Sequence, residues 1–250
     1  MKTLKESLLD DFGSQTKDLR KERIKDWLEK NHISESGNHW PLKYKINNDL
    51  TIDIDNFIYN GEGNFPDYIR FNKCKYDFTI RKCKMTSLRG CPQYVGGTFR
   101  CSYNLLKTLD GGPEKVGHNY VCSNNSLTAL KGVSKIVVLN FDCSYNNLAD
   151  MKGCPKASGI SCSNNKLVSL EGCPEQLAWD FDCENNKLTT LEGCPQRVEG
   201  DFYCRNNHLT TLEGGPKKVG GTIFCTDDQI SEEEKHWAEK NIDCKRIDWI

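Results

Sequence analysis

Seven cysteines recur at a nearly constant interval, and apolar residues hold fixed positions around each of them. The intervals are 21, 21, 19, 21, 21 and 21 residues, for Cys101, Cys122, Cys143, Cys162, Cys183, Cys204 and Cys225. Two positions before each stands a large apolar residue such as Phe99 or Phe202, and leucines follow most of them five and eight positions later. Apolar residues two apart predict a short strand with one buried face, and a fixed period near 21 residues predicts a solenoid.

An asparagine stands three residues after each cysteine except the last, and a Gly-Cys-Pro or Gly-Gly-Pro segment closes most repeats. The asparagines are Asn104, Asn125, Asn146, Asn165, Asn186 and Asn207. Because their amides can bond backbone groups where the chain leaves a strand, we expect an internal ladder of hydrogen bonds. Glycine permits positive φ and proline donates no hydrogen bond, so the closing segment predicts an irregular or single helical turn.

The clearest copies of the unit are FDCENNKLTTLEGCPQRVEG at 181–200 and FYCRNNHLTTLEGGPKKVGG at 202–221. The unit resembles the leucine-rich repeat pattern L-x-x-L-x-L-x-x-N/C-x-L, with Phe and Cys in two of the leucine positions. The resemblance implies an α+β solenoid, an arc of about eight 21-residue repeats from Ile80 to Cys225 with a parallel β concave face.

The two ends of the chain carry patterns typical of caps, which a solenoid needs to cover its apolar ends. We therefore predict an N-terminal helical region at 1–33, a linker and β cap at 34–76, repeats at 77–230 and a C-terminal cap at 231–250. The segment SESGN at 34–38 predicts the linker, and 50–55 predicts a strand whose hairpin partner contains Tyr44 and Ile46. Ser231 predicts the N-cap of a closing helix, with Glu234 completing a capping box, and CKRIDWI predicts a final edge strand. Helical spacing relates Leu4, Leu8 and Phe12, and also Leu19, Ile24, Trp27 and Leu28.

Composition narrows the function classes. A net charge of −1 makes nucleic acid an improbable direct ligand, and no apolar run predicts a membrane span or a secretory signal. An intracellular location would keep the 14 cysteines reduced. We favour burial in the core for the seven recurring cysteines, and disulfide or metal roles stay open as the alternatives. We predict no cofactor and no metal site.

The predicted concave face carries the candidate binding residues. Strand positions that flank the cysteine column point outward, and serines such as Ser102 and Ser144 are among them. The residues that favour partner binding are Arg100, Asp142, Asp180, Asp182, Glu184, Asp201, Tyr203, Arg205 and Phe224. Aromatic residues and arginine beside carboxylates are typical of protein–protein hot spots. The five histidines are scattered and no nucleophile–base motif occurs, so we predict no enzyme activity and no catalytic residue.

The start MKTLKESLLDDF, the segment LEKNH and the repeated CSNNxLTxLxGCPxxVxG unit resemble leucine-rich-repeat proteins of large tailed, crAss-like bacteriophages. The resemblance implies a phage accessory protein in the host bacterial cytoplasm that binds a host or viral protein. Neutralising a host defence factor such as a CRISPR effector is the role that we expect. The alternatives are a virion structural or assembly component and, less favoured, an enzyme that uses the acidic residues. The partner and the oligomeric state are not specified by the sequence.

Overall fold

The structure, a computed structural model, describes residues 4–33, 42–226 and 229–249, with side chains in the first helix from residue 15 onward. The helices are α1 (Leu4–Asn31) and α2 (Glu232–Asn241). The first ten strands are β1 (Tyr44–Ile46), β2 (Ile52–Ile54), β3 (Phe57–Ile58), β4 (Phe71–Cys74), β5 (Phe78–Thr79), β6 (Tyr94–Val95), β7 (Phe99–Arg100), β8 (Lys115–Val116), β9 (Tyr120–Val121) and β10 (Ile136–Val137). The others are β11 (Asn140–Asp142), β12 (Gly159–Ser161), β13 (Gln176–Leu177), β14 (Phe181–Asp182), β15 (Arg197–Val198), β16 (Phe202–Tyr203), β17 (Lys218–Val219), β18 (Thr222–Cys225) and β19 (Arg246–Trp249).

The strands predicted from the cysteine column form one parallel sheet, which we call the long sheet. Its order is β3-β5-β7-β9-β11-β12-β14-β16-β18-β19. The register places equivalent residues side by side, so that Phe181 pairs with Phe202 and Phe202 with Ile223. These inward rings are fully buried and pack along the solenoid, with 5.3 Å between the ring centres of Phe181 and Phe202. The predicted parallel strands are confirmed.

A second line of short strands, the short sheet, was predicted only at its start, where β1 and β2 form the expected hairpin. It comprises β1-β2-β4-β6-β8-β10 and, farther along, β13-β15-β17. From β6 onward each of its strands precedes a strand of the long sheet and buries one β-branched or aliphatic side chain, such as Val95, Val116 or Val198. The glycines that follow Val95 make the corner tight, since a Cβ on Gly96 would lie 2.1 Å from the carbonyl oxygen of Lys75. Each turn therefore buries its core between two sheets.

The fold is a β-solenoid of about nine turns with parallel strands and a repeat spacing of about 21 residues, where the sequence predicted about eight repeats. In the described residues both helices lie at the ends, and the repeats themselves contain strands and turns only. Phe57 and Ile58, inside the segment predicted as the β cap, already pair in parallel with Phe78 and Thr79. The predicted linker at 34–38 lies outside the described residues.

The asparagine ladder is confirmed in atomic detail. Asn146 donates from Nδ2 to the carbonyl oxygens of Cys143 and of Cys122 in the preceding turn, at 3.0 and 3.1 Å. Its Oδ1 accepts the backbone N–H of Leu127 at 3.0 Å. The same pattern recurs at Asn104, Asn165 and neighbouring turns, so each amide bonds two successive turns together.

The closing segment of each repeat is a tight turn that requires glycine. The N–H of Cys91 bonds the carbonyl oxygen of Leu88 at 3.0 Å, across Gly90 with φ of +90°. Positive φ at the third residue of a four-residue turn is the type II geometry, which favours glycine. The sequence predicted either an irregular turn or a single helical turn for this segment, and the structure has the irregular turn.

The caps follow the sequence with one correction. In α1, Ile24, Trp27 and Leu28 are buried as predicted, whereas Leu19 is 71% exposed and does not belong to the apolar face. The side chains of Leu4, Leu8 and Phe12 lie outside the described residues. The predicted hairpin forms, with Tyr44 opposite Ile54.

At the other end, Ser231 caps α2 by accepting the N–H of Glu234 at 3.2 Å, as predicted. The predicted edge strand also forms, since β19 pairs in parallel with β18.

The cysteine column is buried in the core, as the favoured reading predicted. Burial raises the pKa of thiols such as Cys122 and Cys162 well above the usual range for cysteine. A second set of cysteines lies at the glycine turns, where burial raises the pKa of Cys154 and Cys194 to about 12. These thiols are therefore protonated packing groups at neutral pH.

Candidate protein-binding face

The outward side chains of the long sheet form one continuous surface, which we call the outer face. Within each strand the residue between the two buried ones points outward, and the parallel register sets these residues in a row. Asp182 pairs with Tyr203, Tyr203 with Phe224, and Phe224 with Asp248. At about 4.8 Å between strands, the ten strands present a face roughly 43 Å long.

An aromatic pair with an arginine lies near the C-terminal end of the outer face. The rings of Tyr203 and Phe224 stack with centres 4.8 Å apart and planes within 7°. The guanidinium carbon of Arg205 lies 4.6 Å from the centre of the Phe224 ring. Stacking between neighbouring strands holds these flat side chains in place before any partner arrives, which lowers the entropy lost on binding.

Arg205 lies between two carboxylates. Its Nη2 is 3.5 Å from Oδ2 of Asp248, and its Nε is 3.9 Å from Oε1 of Glu184. The second distance allows attraction but is too long for a hydrogen bond, and within the described residues Arg205 Nε and Glu184 Oε1 have no hydrogen-bond partner. Burial, followed by the charge of Asp182, raises the pKa of Glu184, while Arg205 opposes the rise.

Asp142 and Asp182 bond local serines and backbone. Asp182 accepts the hydroxyl of Ser161 at 2.9 Å and the N–H of Glu184 at 3.1 Å. Asp142 accepts both the hydroxyl and the N–H of Ser144 through one oxygen, Oδ1. Ser144 and its equivalents Ser102, Ser123 and Ser163 are buried, so the expectation that this serine row is exposed was wrong. The serines support the acidic row from beneath.

Asp180 and Asp201 have a structural task that the sequence did not reveal. Oδ1 of Asp180 accepts the N–H of Asp201, and Oδ1 of Asp201 accepts the N–H of Thr222, both at 2.8 Å. Asp77 makes the same bond to Thr98 at 2.7 Å in an earlier turn. One oxygen of each carboxylate therefore links successive turns, and only the other can face a partner.

Arg100 is a predicted partner-binding residue that lies far from the others. It lies on the outer face four strands from Asp182, which is roughly 19 Å at the usual strand spacing. Its Nη1 is 3.0 Å from Oδ2 of Asp77. The other predicted residues lie on β11 to β18 or immediately beside these strands, so the candidate site is the C-terminal half of the outer face.

An open groove of about 560 Å³ adjoins this half and contains a residue that the sequence analysis missed. Asp142, Ser161, Asp180 and Asp182 line it together with Trp179, whose side chain is 42% exposed. Trp179 occupies a corner position that varies between turns, with small residues such as Gly97 and Gly200 in some and large ones such as Tyr76 and Leu139 in others. Because large residues recur in that column, the repeat alignment carried no signal for it.

Two exposed tyrosines were also missed. Tyr103 and Tyr145 follow the serine row and adopt positive φ, 56° and 53°, at a position that other turns fill with asparagine. Asparagine tolerates this left-handed backbone better than tyrosine does. Both rings add apolar area along one edge of the outer face.

The described residues contain no cluster of three or more His, Cys, Asp or Glu side chains arranged to hold a metal ion. None of the helices described is long and apolar enough to cross a membrane. No protein-family model matches the chain, and no curated protein matches it. The geometry of the outer face is therefore the basis for a functional proposal.

Proposed function

We propose that the chain is a non-enzymatic protein-binding module whose outer face binds a partner protein. The observation that carries the proposal is the stacked Tyr203–Phe224 pair with Arg205 beside it, on a flat sheet face and next to the Trp179 groove. Tryptophan, tyrosine and arginine are the side chains most enriched at binding hot spots. A face of this length also matches the dimension of standard protein interfaces.

The charge of the site specifies the partner's chemistry. Four carboxylates lie on or beside the strands next to Tyr203, those of Asp180, Asp182, Glu184 and Asp201, and Asp142 lies three strands away on the same face. Arg205 is already flanked by carboxylates. A complementary partner carries a basic surface with an apolar or aromatic centre. Association should then be faster at low ionic strength, because steering between charged surfaces is screened by salt.

We further propose that the module is a leucine-rich-repeat protein of a tailed bacteriophage that inhibits a host protein, such as a CRISPR or other defence effector. The 21-residue spacing, the asparagine ladder and the parallel strands support the repeat identity. The phage origin and the role in the host cytoplasm follow from the resemblance of the N-terminal and repeat segments to such proteins.

Affinity capture from a lysate of a bacterial host of crAss-like bacteriophages tests the binding site. The full chain should retain a discrete protein, and Tyr203→Ala and Asp182→Lys should each lose it. Tyr94→Ala and Glu114→Lys make the same chemical changes on and beside the short sheet and should keep the captured protein. Circular dichroism of each variant checks that the solenoid is intact.

Equal capture by all four folded variants would place the binding site away from the outer face. Loss of capture only in Tyr94→Ala and Glu114→Lys would move it to the short sheet. Either result would refute the proposal.

A further inference from the structure

A pocket near the N-terminal end of the solenoid is lined by four arginines from three separate segments. Arg20 and Arg23 come from α1, Arg70 from the start of β4, and Arg89 from the first glycine turn, and the pocket encloses about 310 Å³. Its walls include Ile24, Leu50 and Tyr68, which are buried or half-buried and pack on the core. The volume lies at the lower end of the range for small-molecule sites, about 300–1,000 Å³.

The arginines are only weakly neutralised. Arg89 is 3.2 Å from the single acidic lining residue, Asp67, and both side chains are largely exposed, so this pair is worth little. Arg70 donates to the carbonyl oxygen of Asp49 at 3.3 Å, and its charge is only the last of the causes that lower the pKa of the exposed Asp49 carboxyl, after the hydrogen bonds from Thr51. Four guanidinium groups and one carboxylate give the lining a formal charge of +3.

Arg23 is already held in position for a ligand. Its guanidinium carbon lies 3.9 Å from the centre of the Tyr68 ring, so the flat group is stacked and its N–H edges remain available. Planar guanidinium groups bond phosphate oxygens in pairs, and little side-chain freedom is left to lose at Arg23.

We propose that this pocket binds a diphosphate ester of nucleotide size. The phosphoryl oxygens lie on the guanidinium groups of Arg20, Arg23, Arg70 and Arg89, and the organic part lies against Ile24 and Leu50. A phosphate monoester carries −1.5 to −2 near pH 7, so a diphosphate of roughly −3 matches the charge of the lining. This site is separate from the outer face and does not depend on the proposed protein partner.

Isothermal titration of the full chain at low salt tests the proposal with three probes: inorganic pyrophosphate, ADP and adenosine. We expect saturable one-to-one binding of pyrophosphate, binding of ADP about tenfold tighter or more, and none of adenosine. Raising the salt should weaken both anions. No saturable pyrophosphate binding at millimolar concentration would overturn the proposal, and equal affinities for pyrophosphate and ADP would overturn the part concerning the organic group.

Charge-removing variants locate the site. Arg23→Gln and Arg70→Gln should each weaken pyrophosphate binding about tenfold or more, the worth of one charge-assisted hydrogen bond. Lys30→Gln removes the same charge from an exposed position of α1 outside the pocket lining and should leave binding unchanged. These four arginines are exposed, so substitution should not unfold the chain, and the urea midpoint checks this. Equal weakening by Lys30→Gln would mean general attraction of an anion and would refute the site.

Discussion

Mild alkali should unfold this protein, because its core is built on cysteine thiols. Burial is the main cause of a strongly raised pKa at ten thiols, those of Cys74, Cys91, Cys101, Cys122, Cys143, Cys154, Cys162, Cys173, Cys183 and Cys194. For Cys74, Cys154 and Cys194 the pKa reaches about 12. In the unfolded chain a cysteine ionises near pH 8.5.

The sign and the size follow from proton linkage. A raised pKa in the folded state means that the thiols stabilise the fold fully below about pH 8.5. The stabilisation is then lost as the pH rises, because only the unfolded chain can release these protons. At about pH 9.5 each of these thiols lowers the free energy of unfolding by about 1.4 kcal/mol relative to neutral pH. Ten of them together therefore lower it by about 14 kcal/mol. Domains are stable by only about 5–15 kcal/mol, which places the alkaline midpoint between about pH 8.6 and about pH 9.6.

Urea unfolding followed by circular dichroism at about pH 7.5, 8.5 and 9.5, with a reductant present, measures this loss. A variant with Cys122→Ala, Cys143→Ala and Cys162→Ala should be less stable at neutral pH because of its cavities. Its free energy of unfolding should nevertheless fall less than that of the wild type between about pH 8.5 and 9.5, by about 3 kcal/mol. A wild-type stability that stays constant between about pH 8.5 and 9.5 would refute the reasoning.

Three further substitutions test the fold, each measured by urea unfolding. Asn146→Ala should cost about 3 kcal/mol, since it orphans the buried N–H of Leu127, whereas the adjacent Asn147→Ala should cost little; equal costs would count against the ladder. Tyr145→Asn should stabilise by up to about 1 kcal/mol by relieving a positive φ, and a destabilisation would show that the ring packs more than its exposure suggests. Ser231→Ala should cost about 1 kcal/mol, and no loss would mean that the α2 cap is not needed.

Much of the fold was accessible from the sequence, because the repeat multiplies weak local signals. A single Phe-x-Cys pair does not predict a strand, but seven cysteines at a nearly constant spacing predict a set of parallel strands. The recurring asparagines likewise predict the ladder of hydrogen bonds between turns. Beyond the predicted hairpin, the short sheet was missed because most of its strands contribute one buried residue, such as Val95 or Val198, and one residue carries no periodicity. Leu19 was misplaced because helical spacing does not say how far along a helix its packing partner extends.

The candidate site was predictable only in part, for a different physical reason. The strand register brings Asp182, Tyr203 and Phe224 together as expected, since parallel strands align equivalent residues. What alternation could not reveal is that the carboxylates of Asp180 and Asp201 bond backbone N–H groups of the following turn. The arginine pocket brings Arg20 and Arg23 of α1 together with Arg70 and Arg89, which lie 47 to 69 positions farther along the chain, and no local pattern predicts such a contact.

The repeats provide an internal standard for separating structural residues from binding residues. We call the equivalent positions of successive turns a column. Where the same residue type recurs along a column, as the ladder asparagines do, the hydrogen bonds that every turn needs explain it. A side chain that departs from its column and gains no internal bond needs another reason. Tyr145, in a column that asparagine fills in most turns, is such a departure, and it stays exposed at a cost in solvated apolar area. It lies on the same half of the outer face as the exposed Trp179 and the stacked Tyr203–Phe224 pair, and this grouping of aromatic side chains favours one partner surface there.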